Sequence, residues 1–353
     1  DALLYAVLPA YASDFGLTLP WVGILLSANR LVRVFAYGLI ARMTHQFGVR
    51  TMCIIAAFMA TGTTAIYGIG YGPVTLLAAR VLWGLTYAIL VLATLTYAVE
   101  FRAHAGTRVG ISQAIQRLGP IFALIGGSWL VGVVGPQATF VYLAIPTAVS
   151  ILIAMRLPKA KAKNTHKTKA KSLSKPAPID VIFFLQGFGV DGVFAVTITL
   201  IFAREADLST AVLSGGALLA MRHLGEAIAA PLFGWTADKW GARRIFIVAE
   251  VLTMCGFFAV ASGLTVAGAI VMLIFRGALA SLGPAVITQS LDETSDAIGP
   301  LARMQAWRDL GAALGPLVTG VLLAVVSAEL QHAGVALAMG AGLIYWVMRP
   351  TTV

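Results

Sequence analysis

The sequence predicts an all-α membrane protein of twelve transmembrane helices, arranged as two six-helix, pseudo-symmetric bundles. Three observations carry this expectation. Of 353 residues, 59% are hydrophobic and only 11% are charged, and the mean hydropathy of +0.88 lies above the range of water-soluble domains. Apolar runs of about 20 residues recur along the chain, each long enough to cross a hydrocarbon core of about 30 Å. The two halves also repeat weakly: a shift of 193 residues lays Ala41, His45, Gly48 and Arg50 over Gly234, Asp238, Gly241 and Arg243.

Taken in order, the first run, 1–12, is short for a crossing, so a first helix truncated at its N-terminus is expected, with part of the native chain missing ahead of Asp1. Runs at 21–41 and 51–69 flank the Ala41–Arg50 turn, and the run at 74–98 carries Arg80. The fifth run, 109–132, opens on Ser112–Gly119 and contains Gly119-Pro120 and Gly126-Gly127. The sixth, 138–157, closes an N-terminal bundle of residues 1–157. Residues 158–178 form a basic cytoplasmic linker: seven Lys between 159 and 175, followed by Pro176 and Pro178, read as a flexible tether suited to anionic lipid. The second bundle, 179–353, holds runs at 179–202, 210–233, 244–262, 266–290, 304–327 and 333–349, the fifth of them opening on Met304–Gly311 in parallel with Ser112–Gly119.

Charge placement orients the helices. Of the 25 Lys and Arg, seventeen lie in or beside loops after even-numbered runs or at the C-terminal end, while Arg204 alone lies in a loop on the other side. The excess of positive charge on cytoplasmic loops places the even-helix loops and both termini in the cytoplasm. The expected location is a multi-pass protein of the bacterial inner membrane. The net charge of +10 is thereby explained as topology signal spread over many short loops, and a nucleic-acid partner is not required. No phosphate-cradling nucleotide loop and no catalytic triad spacing is present, so neither an enzyme nor an ATP-driven pump is expected, and no cofactor. Cys53 and Cys255 each follow a Met in a repeated Thr-Met-Cys. They read as small apolar packing residues, with no resident metal site.

Between the runs at 210–233 and 244–262 lies Gly234-Trp-Thr-Ala-Asp238-Lys239-Trp240-Gly241-Ala-Arg243-Arg244. Read physically, it is a tight turn between membrane helices. Gly234 permits close approach, Asp238 accepts from a helix N-terminus or pairs with an Arg, Gly241 reverses the chain, and Lys239, Arg243 and Arg244 hold the turn in the cytoplasm. This stretch resembles the signature loop of the major facilitator superfamily. The resemblance extends over the whole chain and implies two parallel six-helix repeats joined by a cytoplasmic linker. The chain departs from the family pattern at Ala41 and His45, which stand where glycine and aspartate are usual. The family's antiporter-associated motif has its nearer match in Gly311-x-x-x-Gly315-Pro316-x-x-x-Gly320, on the eleventh helix rather than the fifth. Such glycines equally suit plain helix packing.

Intramembrane charges point to function. A buried ionisable group costs several kcal/mol unless it is paired or faces water, yet the runs retain Arg30, Arg33, Arg80, Arg117, Arg222, Arg276 and Arg308 with the acids Asp1, Asp191, Glu226, Glu250 and Asp309. The resemblance implies that helices 1, 2, 4, 5, 7, 8, 10 and 11 line a central cavity, and all of these charges except Glu250 fall on them. An arginine excess suits a carboxylate, phosphate or sulfonate. The expected anion-gripping residues are Arg30, Arg33 and Tyr37, on one helical face, with Tyr5, Arg117, Arg276 and Arg308. Asp1, Asp191 and Glu226, with Arg222, His223 and Arg80 (which resembles the arginine of a fourth-helix family motif), are the candidates for proton coupling. Arg222 and Glu226, four residues apart, equally suit an internal salt bridge.

The expected function is secondary active, proton-coupled transport of a small amphiphilic organic anion by alternating access, with efflux by antiport as the direction. Its expected partners are the substrate, protons and membrane lipids. Alternatives are a proton-coupled importer, including one for a soft metal such as copper, and an uncoupled membrane sensor or lipid-handling protein on the same fold.

Overall fold

A computed structural model describes residues 2–100, 104–159, 174–202, 208–291, 296–323 and 325–349. Asp1, Arg102, Arg204 and most of the basic tether lie outside them, as do the side chains of Tyr5 and Arg222, whose backbones are helical. Among the described residues the regular structure is helical, without strands. In chain order the helices are α1 (Ala2–Ala10), α2 (Leu19–Phe47), α3 (Val49–Ile69), α4 (Pro73–Ala98), α5 (Ala105–Phe122) and α6 (Ser128–Val134). Then follow α7 (Pro136–Met155), α8 (Pro178–Gln186), α9 (Ala195–Phe202), α10 (Leu208–Trp240), α11 (Ala242–Ala261), α12 (Thr265–Ser290), α13 (Ile298–Leu322) and α14 (Ala328–Met348). Eight helical stretches among the described residues are long and apolar enough to cross a membrane: Ile24–Phe47, Val49–Ile69, Pro73–Ala98, Pro136–Met155, Pro178–Thr197, Ala242–Ala261, Thr265–Ser290 and Ala328–Met348.

Two of the expected runs are single helices interrupted by a π-helical segment. Ala123–Gly127 joins α5 to α6, and Gly187–Phe194 joins α8 to α9. The second segment reads Gly-Phe-Gly-Val-Asp-Gly-Val-Phe, and its three glycines lower the steric resistance to a widened turn.

The chain divides into two units, Asp1–Tyr97 with Leu118–Ser172, and Ala98–Arg117 with Leu173–Val353. The N-terminal part of α5 therefore belongs with the second unit. In the first, α3 packs on α7, and a core of Leu3, Leu4, Leu8, Phe15, Leu76 and Phe140 ties α1 to α4 and α7. In the second, α12 packs against both α10 and α11, α14 lies on α11, and α13 on the π segment. Lipid is as apolar as leucine, so close approach through small residues takes over much of the work that hydrophobic burial does in water.

The hairpins are tighter than the sequence suggests. α2 runs to Phe47 and α10 to Trp240, so most of each motif loop is helix and the reversal falls on Gly48 and Gly241, with φ of 82° and 90°. Only glycine reaches that region without strain. Each unit repeats the same device. The Gly48 and Gly241 N–H groups both donate over 2.9 Å, to Thr44 and Ala237. Arg50 donates to the Met155 carbonyl at the end of α7, and Arg243 to the Val347 carbonyl at the end of α14.

Candidate substrate and coupling site

The second unit gathers four charges, three of them buried and Arg117 partly so, into one network. Asp191 sits in the π segment after α8, Glu226 on α10 and Arg276 on α12. Arg276 donates from Nη2 to Asp191 Oδ1 at 2.7 Å and is ion-paired through Nη1 with Glu226 Oε1. Arg117, from α5, reaches the other carboxylate oxygen of Glu226 at 2.6 Å. The two carboxylates are nearly sealed, with Glu226 1% and Asp191 9% exposed. Gly277 makes this possible: a Cβ there would lie 2.9 Å from the Glu226 Cα, so α12 approaches α10 closely beside Arg276.

Local structure explains why Asp191 joins this group. Gly187 and Gly192 press the π segment onto α13, where a Cβ would meet the Arg308 carbonyl oxygen at 2.3 Å and the Gly315 Cα at 2.4 Å. A small pocket opens beside the network, lined by Phe183, Gln186, Gly187, Asp191, Arg276, Ala280 and Arg308. Two arginines and two carboxylates in the network cancel formally. Arg308 then gives the pocket wall one positive charge.

Glu226 takes Arg117 and Arg276, on other helices, as ion-pair partners; the side chain of Arg222, four residues before it, lies outside the described residues. Arg117, 14% exposed, is turned to that carboxylate. His223 is half-buried on α10, three residues before Glu226.

In the first unit the arginines sit differently. Arg80 is fully buried and donates from Nε to the Leu25 carbonyl at 2.9 Å, tying α4 to α2 where Gly84 meets the Asn29 backbone. Arg33 is buried with its guanidinium 4.5 Å above the Tyr87 ring, a cation–π geometry. Tyr37 is 1% exposed and Arg30 half-buried.

The motif residues form another assembly, in the second unit. Asp238 accepts from the N–H groups of Gly106 and Thr107 at 2.9 and 2.8 Å, the first turn of α5. Of the two partners open to it from sequence, a helix N-terminus and an arginine, these bonds supply the first. Gly234 permits close approach, but to α5 and not across its own hairpin: a Cβ would stand 2.1 Å from the Gly106 carbonyl oxygen. Gly110 meets Ala230 in the same way one turn along, at 2.2 Å. Lys239 lies over the Trp235 and Trp240 rings, and Arg243 over that of Trp346. On α13, Gly311 and Gly315 lie against the Phe184 and Phe188 carbonyl oxygens, so these glycines of the antiporter-like motif serve helix packing.

Three buried polar contacts were not evident from the sequence. Gln186 donates to Glu250 at 2.7 Å. Asp180 accepts from the Ala177 N–H at 2.8 Å and from Arg303 at 2.5 Å. His332 is bonded to the Ala328 carbonyl between the Phe194 and Phe257 rings. Asp180 did carry a signal, an acid in the first turn of its helix. Gln186 and Asp191 did not: five residues apart, they lie about 140° around a regular α-helix from one another, and only the wider π turn brings both to one pocket.

Comparison with known proteins bears on the family and the fold. A model of the Major Facilitator Superfamily matches residues 1–221 and 180–353. Two uncharacterized MFS-type transporters of Mycobacterium tuberculosis, from strains CDC 1551 and H37Rv, are each 24% identical over 332 residues, covering 86% of this chain and 78% of the relative. Among solved structures, the human organic anion transporter MFSD10 aligns with a TM-score of 0.73 at 14% identity, over 98% of this chain and 89% of its own. The Escherichia coli fucose:proton symporter FucP gives 0.75 at 12%, over 99% and 95%. The proton:xylose symporter XylE gives 0.74 at 11%, over 98% and 90%. At these identities the likeness to solved structures is one of fold.

Proposed function

The chain belongs to the major facilitator superfamily, and from that premise we propose that it is a proton-coupled secondary transporter of a small amphiphilic organic anion. It works by alternating access of two six-helix bundles, residues 1–157 and 179–353, joined by the basic linker 158–178. Twelve spans, cytoplasmic termini and a bacterial inner-membrane location complete the reading.

The observation that carries it is the Asp191–Arg276–Glu226–Arg117 network beside Arg308 on the pocket wall. While both acids are ionised, Arg276 is held by carboxylates of the protein. A proton on Asp191 or Glu226 weakens that hold and leaves a guanidinium fork able to take the carboxylate, phosphate or sulfonate of a substrate. Phe183 supplies an apolar surface for the rest of the molecule. Proton and anion therefore favour each other's binding, and linkage makes this reciprocal. On this reading the sign is that of co-transport, the importer alternative, in preference to efflux by antiport. One solved structure of this fold is an organic anion transporter and two are proton symporters, which supports the reading without deciding it. Arg30, Arg33, Tyr37 and Tyr5 would meet the substrate from the first bundle, with Arg80, His223 and Arg222 near the proton path. Asp238 and the glycines around it would set the stability of one state of the cycle.

Uptake of radiolabelled aromatic carboxylates and sulfonates into proteoliposomes tests this. Flux should rise when a proton gradient is imposed in the direction of anion movement. Asp191→Asn should lose that response while retaining exchange of anion for anion. Arg308→Lys should weaken binding about ten- to hundredfold, the worth of one charge-assisted bond lacking its fork. Flux driven by protons moving the opposite way would establish antiport, and preference for cations or neutral compounds would remove the anion reading.

A further inference from the structure

Gln186 and Glu250 form a buried polar pair outside the ion network. Gln186, 7% exposed at the end of α8, donates from Nε2 to Glu250 Oε2 at 2.7 Å. Glu250, on α11, is fully buried, and its Oε1 has no hydrogen-bond partner among the described residues. Gln186 also lines the pocket with Asp191, Arg276 and Arg308. One amide thus separates a sealed carboxyl group from the pocket. We propose that Glu250 is a positioning residue whose protonation sets which end of the Gln186 amide the pocket meets, so that Gln186 donates to an anion only when Glu250 carries a proton.

The argument is one of hydrogen-bond chemistry. An ionised carboxylate only accepts, so it holds the NH₂ arm of Gln186 and turns the carbonyl arm toward the pocket, where an oxygen repels an anion. A protonated Glu250 has an O–H that donates to the Gln186 oxygen. The amide then reverses and presents its NH₂ beside Arg308. Five of the acids and histidines on the helices around Glu250 have partners of their own. Asp180 is bound to Arg303, Asp191 and Glu226 to Arg276, Asp238 to the start of α5, and His332 to Ala328. Lys239 lies over Trp235 and Trp240, and His223 on α10 and Glu329 on α14 complete the acids and histidines of these helices. Glu250 alone among them reaches the pocket through a neutral amide. In transport terms this rests on the anion reading above, and it adds a second protonation site, on a helix that sequence reasoning left outside the cavity.

Infrared difference spectra of the purified full chain, acidic minus alkaline, test the switch directly. The expected result is a titrating carboxylic C=O band that vanishes in Glu250→Gln and shifts in Gln186→Leu, which removes its hydrogen-bond partner. With benzoate as probe, affinity should fall about tenfold across that titration, as one charge-assisted bond is lost. Glu250→Gln should abolish the part of the fall that coincides with the band. Absence of a Glu250-dependent band overturns the proposal even where benzoate binds through Arg276 and Arg308. Should Glu250→Gln fail to fold, Gln186→Leu decides, because titrating carboxyl bands unmoved by that change also overturn it. A normal band with no benzoate binding at any pH leaves the amide switch standing and removes the anion reading instead.

Discussion

At the scale of single residues, Glu226 holds the network together. It faces Arg117 on one carboxylate oxygen and Arg276 on the other, whereas Asp191 is ion-paired with Arg276. Breaking a buried pair by removing one partner costs about 3–5 kcal/mol, because the charge left behind is uncompensated. Glu226→Gln takes a carboxylate from two guanidinium groups, Arg117 and Arg276, of which Arg276 keeps Asp191, while Asp191→Asn takes one from Arg276, which keeps Glu226. Glu226→Gln should therefore lower the melting temperature of the purified protein clearly more than Asp191→Asn, and a thermal-shift comparison in one detergent reads the difference. Equal losses would mean that Arg276 is held mainly by Asp191. The sequence identified these charges as a group but not their pairing. Spacing along one helix nominates Arg222 for Glu226, whereas the Arg276 contact depends on Gly277, which brings α12 against α10.

At the scale of elements, the glycine crossing of α5 and α10 explains why the motif at Gly234–Arg244 differs from its counterpart at Ala41–Arg50. Gly106 and Gly110 meet Gly234 and Ala230 backbone to backbone, and only at that distance does the Asp238 carboxylate reach the first N–H groups of α5. Asp238→Asn weakens two charge-assisted bonds, each worth about 1.5–3 kcal/mol when charged. It should impair transport with expression retained, and Gly110→Leu should do so more severely by forcing the helices apart. His45→Ala should be mild, because an often-neutral imidazole gives no comparable bond. Flux per folded molecule measures all three, and equal, large losses from His45→Ala and Asp238→Asn would overturn this account. The turn and its acid were legible, since glycine, acid and bases at fixed spacing state a local geometry. The crossing was not. Ala105–Arg108 is polar enough to read as loop, and it is helical with its first turn capped by an acid 131 residues away in sequence.

At the scale of the whole molecule, hydropathy and charge made most helices legible, because a membrane demands about 20 apolar residues per crossing whatever the tertiary contacts. What they missed was irregularity. The π segments, the pocket beside Asp191 and the Gln186–Glu250 pair arise from helix contacts that composition does not encode. The repeat, by contrast, is visible at both levels: Gly48 and Gly241 share one backbone geometry, and Arg50 and Arg243 each bond the end of the last helix in their own unit. If those two turns are equivalent, they lie on the same side of the membrane, and the basic residues around them place that side in the cytoplasm. Phe47 and Trp240, about half exposed beside these turns, should then face inward, while Tyr71 and Leu264, exposed at the opposite ends of α3 and α11, should face outward. In a background with Cys53 and Cys255 replaced by Ala, single cysteines at 71 and 264 should react with a membrane-impermeant maleimide on intact cells. Those at 47 and 240 should react only after permeabilisation. Labelling of 47 and 240 from outside would reverse the topology, and a split between 47 and 240 would break the parallel repeat on which the alternating-access reading depends.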